Sequence, residues 1–281
     1  MTFLENVDKA KLQKILLITI SALMLVALAL LLAIVIMSIE PTGLQGTNME
    51  FKDYTLTDKD VATGSLVLAD DDHAYNYTFE DADLYSCGKY RNDNLEKDEE
   101  GKELNKYYMN DQSKMKLTAS AMAAAHDMLV AAEAAVAKDD LLISSAYGYN
   151  NADTQEYNTA LLIYLANYDD VALDSAYADW FDQHAAEYGF IESFENGYRY
   201  VGVAHAKYMT DEELTLAEYI EYLKENTSNE NGLNVKVADE DYYIYYEAAE
   251  AEESIKVPAD AEYVISGTNE GGVVVTVKLD K

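Results

Sequence analysis

Residues 194–209 read FENGYRYVGVAHAKYM. A glycine flanked by aromatics (Gly197), a buried-looking arginine (Arg199) and a lone histidine (His205) are the ingredients of a catalytic-cleft wall, or of its remains. Working outward, Thr210 followed by Glu213 predicts a capping box that opens a helix with Leu216, Ile220 and Leu223 on one face. Upstream, DSAYADWFDQHAAEYGF (174–190) predicts an amphipathic helix that stops at Gly189. NTALLIYL (158–165) and LLISSAYGY (141–149) predict buried strands, the second running into a turn. The Ala-rich run at 116–138 predicts a long helix with Leu117, Met122, Met128 and Leu129 available for a core.

Further out the signals are coarser. Residues 91–114 are charged and read as loop or surface helix, and Ser65–Ala69 has a strand-like core ended by an acidic turn. After Asn226 come LNVKV, DYYIYYE, AEYVISG and GGVVVTVKL, the last two split by the turn TNEGG, which predict a small β unit. The fold class is α+β, with helices packed on a small antiparallel sheet.

The first 39 residues differ from the rest. From Ile15 to Ile39 there is no charged residue, enough for a helix to cross the ~30 Å hydrocarbon layer. The run is too long for a signal-peptide core, and no small-residue cleavage site follows before Pro41. Lys9, Lys11 and Lys14 precede the span, so the positive-inside rule puts the N-terminus in the cytoplasm and the remainder outside the cell. The expected organisation is a cytoplasmic tail (1–14), an anchor (15–39), a linker (40–60), a main domain (61–226) and a β extension (227–281).

Acidic residues outnumber basic ones 52 to 20, a formal charge of −32, which repels polyanions and excludes nucleic acid as a partner. Cys87 is the single cysteine, so no internal disulfide and no cysteine-based metal cluster can form.

Four blocks in order resemble the VanY-type D-alanyl-D-alanine carboxypeptidases, zinc peptidases of the lysostaphin and hedgehog-like fold group. They are SAYGY (145–149), NTALLIYL, WFDQHAAEYGFI (180–191), and RYVGVAHAKYM with LTLAEYIEYL (199–223). The lead-in VATGSLVLADDDHAY (61–75) and the Tyr-rich tail are similar to anchored Gram-positive members. The resemblance implies a zinc held by two histidines and an aspartate, with an open position for water. At the matching positions stand Tyr157, Tyr164 and Gly197; the general base falls on Phe194, with Glu195 adjacent, and the arginine that grips the substrate carboxylate falls on Gly148. About two dozen residues of the family's pattern are missing between SAYGY and NTALLIYL.

These departures imply a degenerate centre that needs no cofactor. The expected protein is a membrane-anchored, extracellular pseudopeptidase of a Gram-positive bacterium that binds peptidoglycan stem peptides or an envelope protein. Tyr147, Tyr157, Tyr164, Tyr198, Arg199 and His205 are candidates for a vestigial cleft. The alternative is an active carboxypeptidase with zinc held by unusual or misaligned ligands. His73, His126 and His184 replace no ligand position, and His205 reads as a packing and hydrogen-bonding residue.

Overall fold

Residues 43–149, 154–168 and 172–279 are described by the computed structural model. The expected anchor, 15–39, and the lysines before it lie outside the described residues. Among the described residues no helix is long and apolar enough to cross a membrane.

The C-terminal strands are where the fold departs most from the expected organisation. β10 (Asn231–Val237), β11 (Glu240–Glu247), β14 (Val273–Leu279) and β13 (Tyr263–Gly267) form an antiparallel sheet, extended at its edge by β1 (Gly43–Gly46). Val273, Val274, Val275 and Val277 are all buried, so both faces of β14 must be covered. On one face lie α5 (Val203–Asp211) and α6 (Leu216–Asn226), whose Ala204, Ile220 and Leu223 join Leu233, Ile244 and Val274 in one core. On the other face lie β2 (Phe51–Thr55) and its antiparallel partner β12 (Ser254–Pro258), with Ile255 and Val257 against Tyr245 and Val275. Residues 43–55 are therefore not the linker expected at 40–60. Residues 43–46 and 51–55 are strands of the C-terminal layer: β1 extends the edge of the tail sheet, and β2 pairs with β12 over its second apolar face. For the same reason the tail does not separate at residue 227.

The second sheet carries the site, in the order β4 (Tyr108–Met109), β6 (Leu141–Ser145), β7 (Leu162–Asn167), β9 (Gly197–Tyr200) and β8 (Phe190–Phe194). It is mixed rather than antiparallel throughout, since β4 runs parallel to β6. One of its faces is packed by α3 (Ala119–Val136) and α4 (Ser175–His184). Ala121, Ala125 and Ala132 of α3 are fully buried, so the Ala-rich composition lets the helix approach closely while Met122, Met128 and Leu129 fill the gaps. α4 is capped by Asp174 and continues as a 3-10 turn to Gly189, whose φ of 83° ends it as expected.

Other boundaries moved. β3 (Leu84–Ser86) pairs with β5 (Lys116–Thr118); α1 (Asp58–Ala62) begins inside the expected linker, and α2 (Cys87–Asn94) reaches into the stretch expected as loop or surface helix. Ser65–Ala69 is not a strand, although Leu66 to Ala69 are buried; Leu66 N–H donates to Ser266 Oγ (2.9 Å) and Leu68 N–H to the Thr268 carbonyl (3.0 Å). The capping box of α6 is Thr215 with Glu218, not Thr210 with Glu213, because Thr210 lies in the last turn of α5. Gln155–Thr159 is a 3-10 turn before β7, so Tyr157 is not on the strand that holds Tyr164.

Candidate functional site

Strand pairing brings three of the singled-out positions together. Tyr164 on β7 stands opposite Gly197 on β9, and Phe194 on β8 stands opposite the same glycine from the other side. Phe194 and Tyr164 stack with ring centroids 6.2 Å apart and an interplanar angle of 19°. A Cβ at Gly197 would come within 2.5 Å of the Phe194 ring, so the glycine makes room for that ring. Phe194 remains 37% exposed, so the stacked pair is the outer surface of the sheet rather than its core.

Tyr157 and Gly148 belong to neighbouring turns. Tyr157 is buried on the 3-10 turn. Gly148 has φ of 87°, and a Cβ there would sit 2.6 Å from the Lys114 carbonyl, so no side chain is accommodated. The ring of Tyr147 meets Phe79 edge-on at 5.9 Å, and Phe79 in turn contacts Tyr75 and Tyr77. Tyr75 N–H donates to Gln155 Oε1 at 2.9 Å, tying this aromatic segment to the 3-10 turn.

Arg199 lies on the same face of the sheet as Gly197, two residues along β9, and is 1% exposed. Its Nη1 donates to Glu156 Oε1 at 3.1 Å, and its Nη2 donates to the Val67 carbonyl. Ser193 Oγ donates to the Glu156 carboxylate at 2.7 Å. The guanidinium is thereby committed to the chain's own groups, although its Nε has no partner. The sequence marks Arg199 as buried but not its counter-ion: any of many carboxylates could serve, and Glu156 is 43 residues away.

Two candidates for the vestigial cleft lie elsewhere. Tyr198 alternates to the opposite face of β9 and packs on Phe181, 5.0 Å between ring centroids. His205, on α5, is buried between α6 and the tail sheet, with Nδ1 2.8 Å from the Tyr219 hydroxyl and Nε2 2.9 Å from Thr276 Oγ1. Burial pushes its imidazole down to about 3, so it is neutral there. His126 Nδ1 meets the Tyr107 hydroxyl (3.0 Å), His73 lies between Asp70 (2.7 Å) and Glu270 (3.1 Å), and His184 meets Glu187 (3.1 Å). Among the described residues no three His, Cys, Asp or Glu side chains gather as metal ligands.

Sequence reasoning also missed a buried acid. Glu133 on α3 is 1% exposed; its Oε1 accepts from Leu141 N–H at 2.8 Å while its Oε2 has no partner. Burial raises its carboxyl to about 7. The one visible sign was a glutamate within an otherwise apolar Ala-rich helix.

No family model matches the chain. A D-alanyl-D-alanine carboxypeptidase of Enterococcus faecium is 35% identical over an alignment of 111 positions that covers 35% of this chain and 35% of that protein. The chain thus spans about a third of that relative's length. Among solved structures, a vancomycin-resistance D,D-dipeptidase, VanXYg, in complex with a D-Ala-D-Ala phosphinate analog, superposes with a TM-score of 0.62 at 18% identity, covering 82% of this chain and 100% of that one. That likeness is one of fold. VanYB in complex with D-alanine-D-alanine matches at a TM-score of 0.38 and 17% identity over 56% of this chain and 97% of its own, too slight to weigh.

Proposed function

The chain belongs to the VanY-like family, and we propose that it is a member without peptidase activity, serving as a binding module at the cell envelope. The observation that carries this reading is the Phe194 ring stacked on Tyr164 over Gly197. A zinc does not fit the residues at the matched positions. A phenol must shed its proton to bind zinc well and is a poor ligand at neutral pH, Gly197 has no donor, and the space its side chain would need holds the Phe194 ring. A carboxylate clamp does not fit either, because Gly148 stands against the Lys114 carbonyl. Arg199 cannot stand in for it without breaking its pairing to Glu156.

The chain's own residues therefore supply shape and aromatic surface in place of a reacting centre. Tyr164 and Phe194 offer ring faces suited to packing against the apolar parts of a peptide or a glycan. Stem peptides of peptidoglycan are the partner class the family suggests. Residues 15–39 anchor the protein in the membrane with the N-terminus inside, which fits the lysines before the span and the acidic chain after it.

The test uses the full chain purified in detergent. Metal analysis should find no stoichiometric zinc, and a stem peptide ending in D-Ala-D-Ala should release no D-alanine. Zinc near one ion per chain, with release of D-alanine that a chelator stops, would overturn the reading in favour of an active carboxypeptidase. Protease added to intact cells should digest from residue 41 onward; protection of that region would reverse the orientation.

A further inference from the structure

We propose that a cleft on the helical face of the site sheet, opposite Gly197 and Arg199, receives a lysine side chain of a peptide partner. The cleft has a volume of about 280 Å³ and lies on the seam between two cores. Its floor is Phe181, Phe190, Tyr198 and Met209, all almost wholly buried. Its mouth carries Asp182, Glu192 and Glu213, and among the described residues no lysine or arginine lines it; Glu192 Oε1 accepts from Asn196 N–H (3.0 Å). Glu192 is directly opposite Tyr198 on the neighbouring strand, and Glu192 and Asp182 both help burial to push the Tyr198 phenol up. An apolar floor below carboxylates that no cationic lining residue neutralises suits an alkyl chain ending in an ammonium group, with the methylenes buried and the charge held at the mouth.

The backbone at Glu213 is a separate observation. α5 ends in a Schellman turn: Leu214 N–H donates to the Met209 carbonyl (2.8 Å) and Glu213 N–H to the Thr210 carbonyl (3.4 Å). The residue between must be left-handed, and Glu213 has φ of 55°. Glycine is favoured there because a Cβ is strained in that conformation. A glutamate at this position costs stability relative to glycine and places a carboxylate at the cleft mouth. Gln183 and Thr210 beside it offer neutral groups for the amides that flank a side chain, which favours a peptide over a free amine. The inference stands whether or not the opposite face can hold zinc.

The test titrates the full chain in detergent with Nα-acetyl-lysine amide by calorimetry, with Nα-acetyl-norleucine amide as the uncharged control. Saturable binding of the lysine compound, about tenfold or more tighter than norleucine, is expected. Glu213→Gln should weaken it about three- to fivefold, as for an exposed ion pair. Glu99→Gln, the same charge change on a remote exposed loop, should leave affinity unchanged. Glu213→Gly should melt at a higher temperature than the parent and still bind more weakly, which separates loss of the carboxylate from loss of fold. Unchanged affinity in Glu213→Gln, equal weakening in Glu99→Gln, or a lower melting temperature for Glu213→Gly would overturn the proposal. So would tighter binding of 1,5-diaminopentane than of the lysine compound.

Discussion

The tail sheet and the site sheet close their faces by different means. On the tail sheet both faces are covered mainly by hydrocarbon, with the His205–Thr276 contact as a polar exception: Val274 and Ile244 meet α5 and α6, and Val275 and Tyr245 meet β12. On the site sheet only the face under α3 and α4 is closed in this way. The other carries the Arg199–Glu156–Ser193 network and the partly open Tyr164–Phe194 stack. Apolar closure is non-directional and forgives small changes, whereas a buried ion pair depends on each partner. The face where the relatives' resemblance implies chemistry is thus the face held by specific polar contacts, although those contacts now serve the fold.

The largest expected effect follows from that contrast. Arg199→Met should leave the Val67 carbonyl without its donor and Glu156 without its counter-ion, with only Ser193 still donating to it, and cost about 3–5 kcal/mol in denaturant unfolding. A loss under ~1 kcal/mol would show that the network contributes no more than a surface pair. Ile220→Ala, in the apolar core that α6 shares with the tail sheet, should cost about 2–4 kcal/mol. If the tail sheet instead melted separately from the site sheet in that variant, the two would not unfold as one cooperative unit.

The pH profile sharpens the comparison, because each region buries one titratable group of opposite sense. His205 titrates at about 3 when folded against ~6.5 unfolded, so the unfolded chain takes up the proton first. Its contribution is complete above pH ~6.5 and declines as pH falls toward 3, with about 2 kcal/mol lost by pH 5. Glu133 titrates at about 7 when folded against ~4.3 unfolded, so its contribution is present below pH ~4.3 and is lost as pH rises through 7. Glu133→Gln should therefore stabilise the protein at pH 8, by about 1–3 kcal/mol, with little effect at pH 4. A stabilisation equal at both pH values would rule out titration as its cause.

A smaller effect concerns the aromatic stack. Tyr157→His, Tyr164→Asp and Gly197→His together should bind no zinc while Phe194 remains, since the new imidazole at 197 meets its ring. Adding Phe194→Ala should give measurable zinc uptake by metal analysis. Uptake by the triple variant alone would mean that the ring swings aside at little cost. Smallest of all, Tyr164→Phe should change stability by less than about 1 kcal/mol, because its ring, not its hydroxyl, makes the stack.

Local pattern determined a good deal by itself. The α+β class, the Ala-rich helix, the stop at Gly189 and the C-terminal strands other than β12 were legible because periodicity and turn chemistry act over a few residues. The order of four motif blocks pointed to the family, and the positions of Tyr164, Gly197 and Phe194 within them pointed to one place, which strand pairing then joined. Tertiary structure alone decided the rest. Both Thr210 and Thr215 precede a glutamate at capping distance, and only the length of α5 chose between them. Residues 43–46 and 51–55 carry no strong strand signal, yet β1 extends the edge of the tail sheet and β2 pairs with β12 over its second apolar face. Tyr198, Arg199 and His205, close in sequence, went to three environments because strand alternation and the start of α5 turn neighbours apart. Glu156 became the partner of Arg199 through contacts 43 residues apart, and no local propensity encodes a contact of that range.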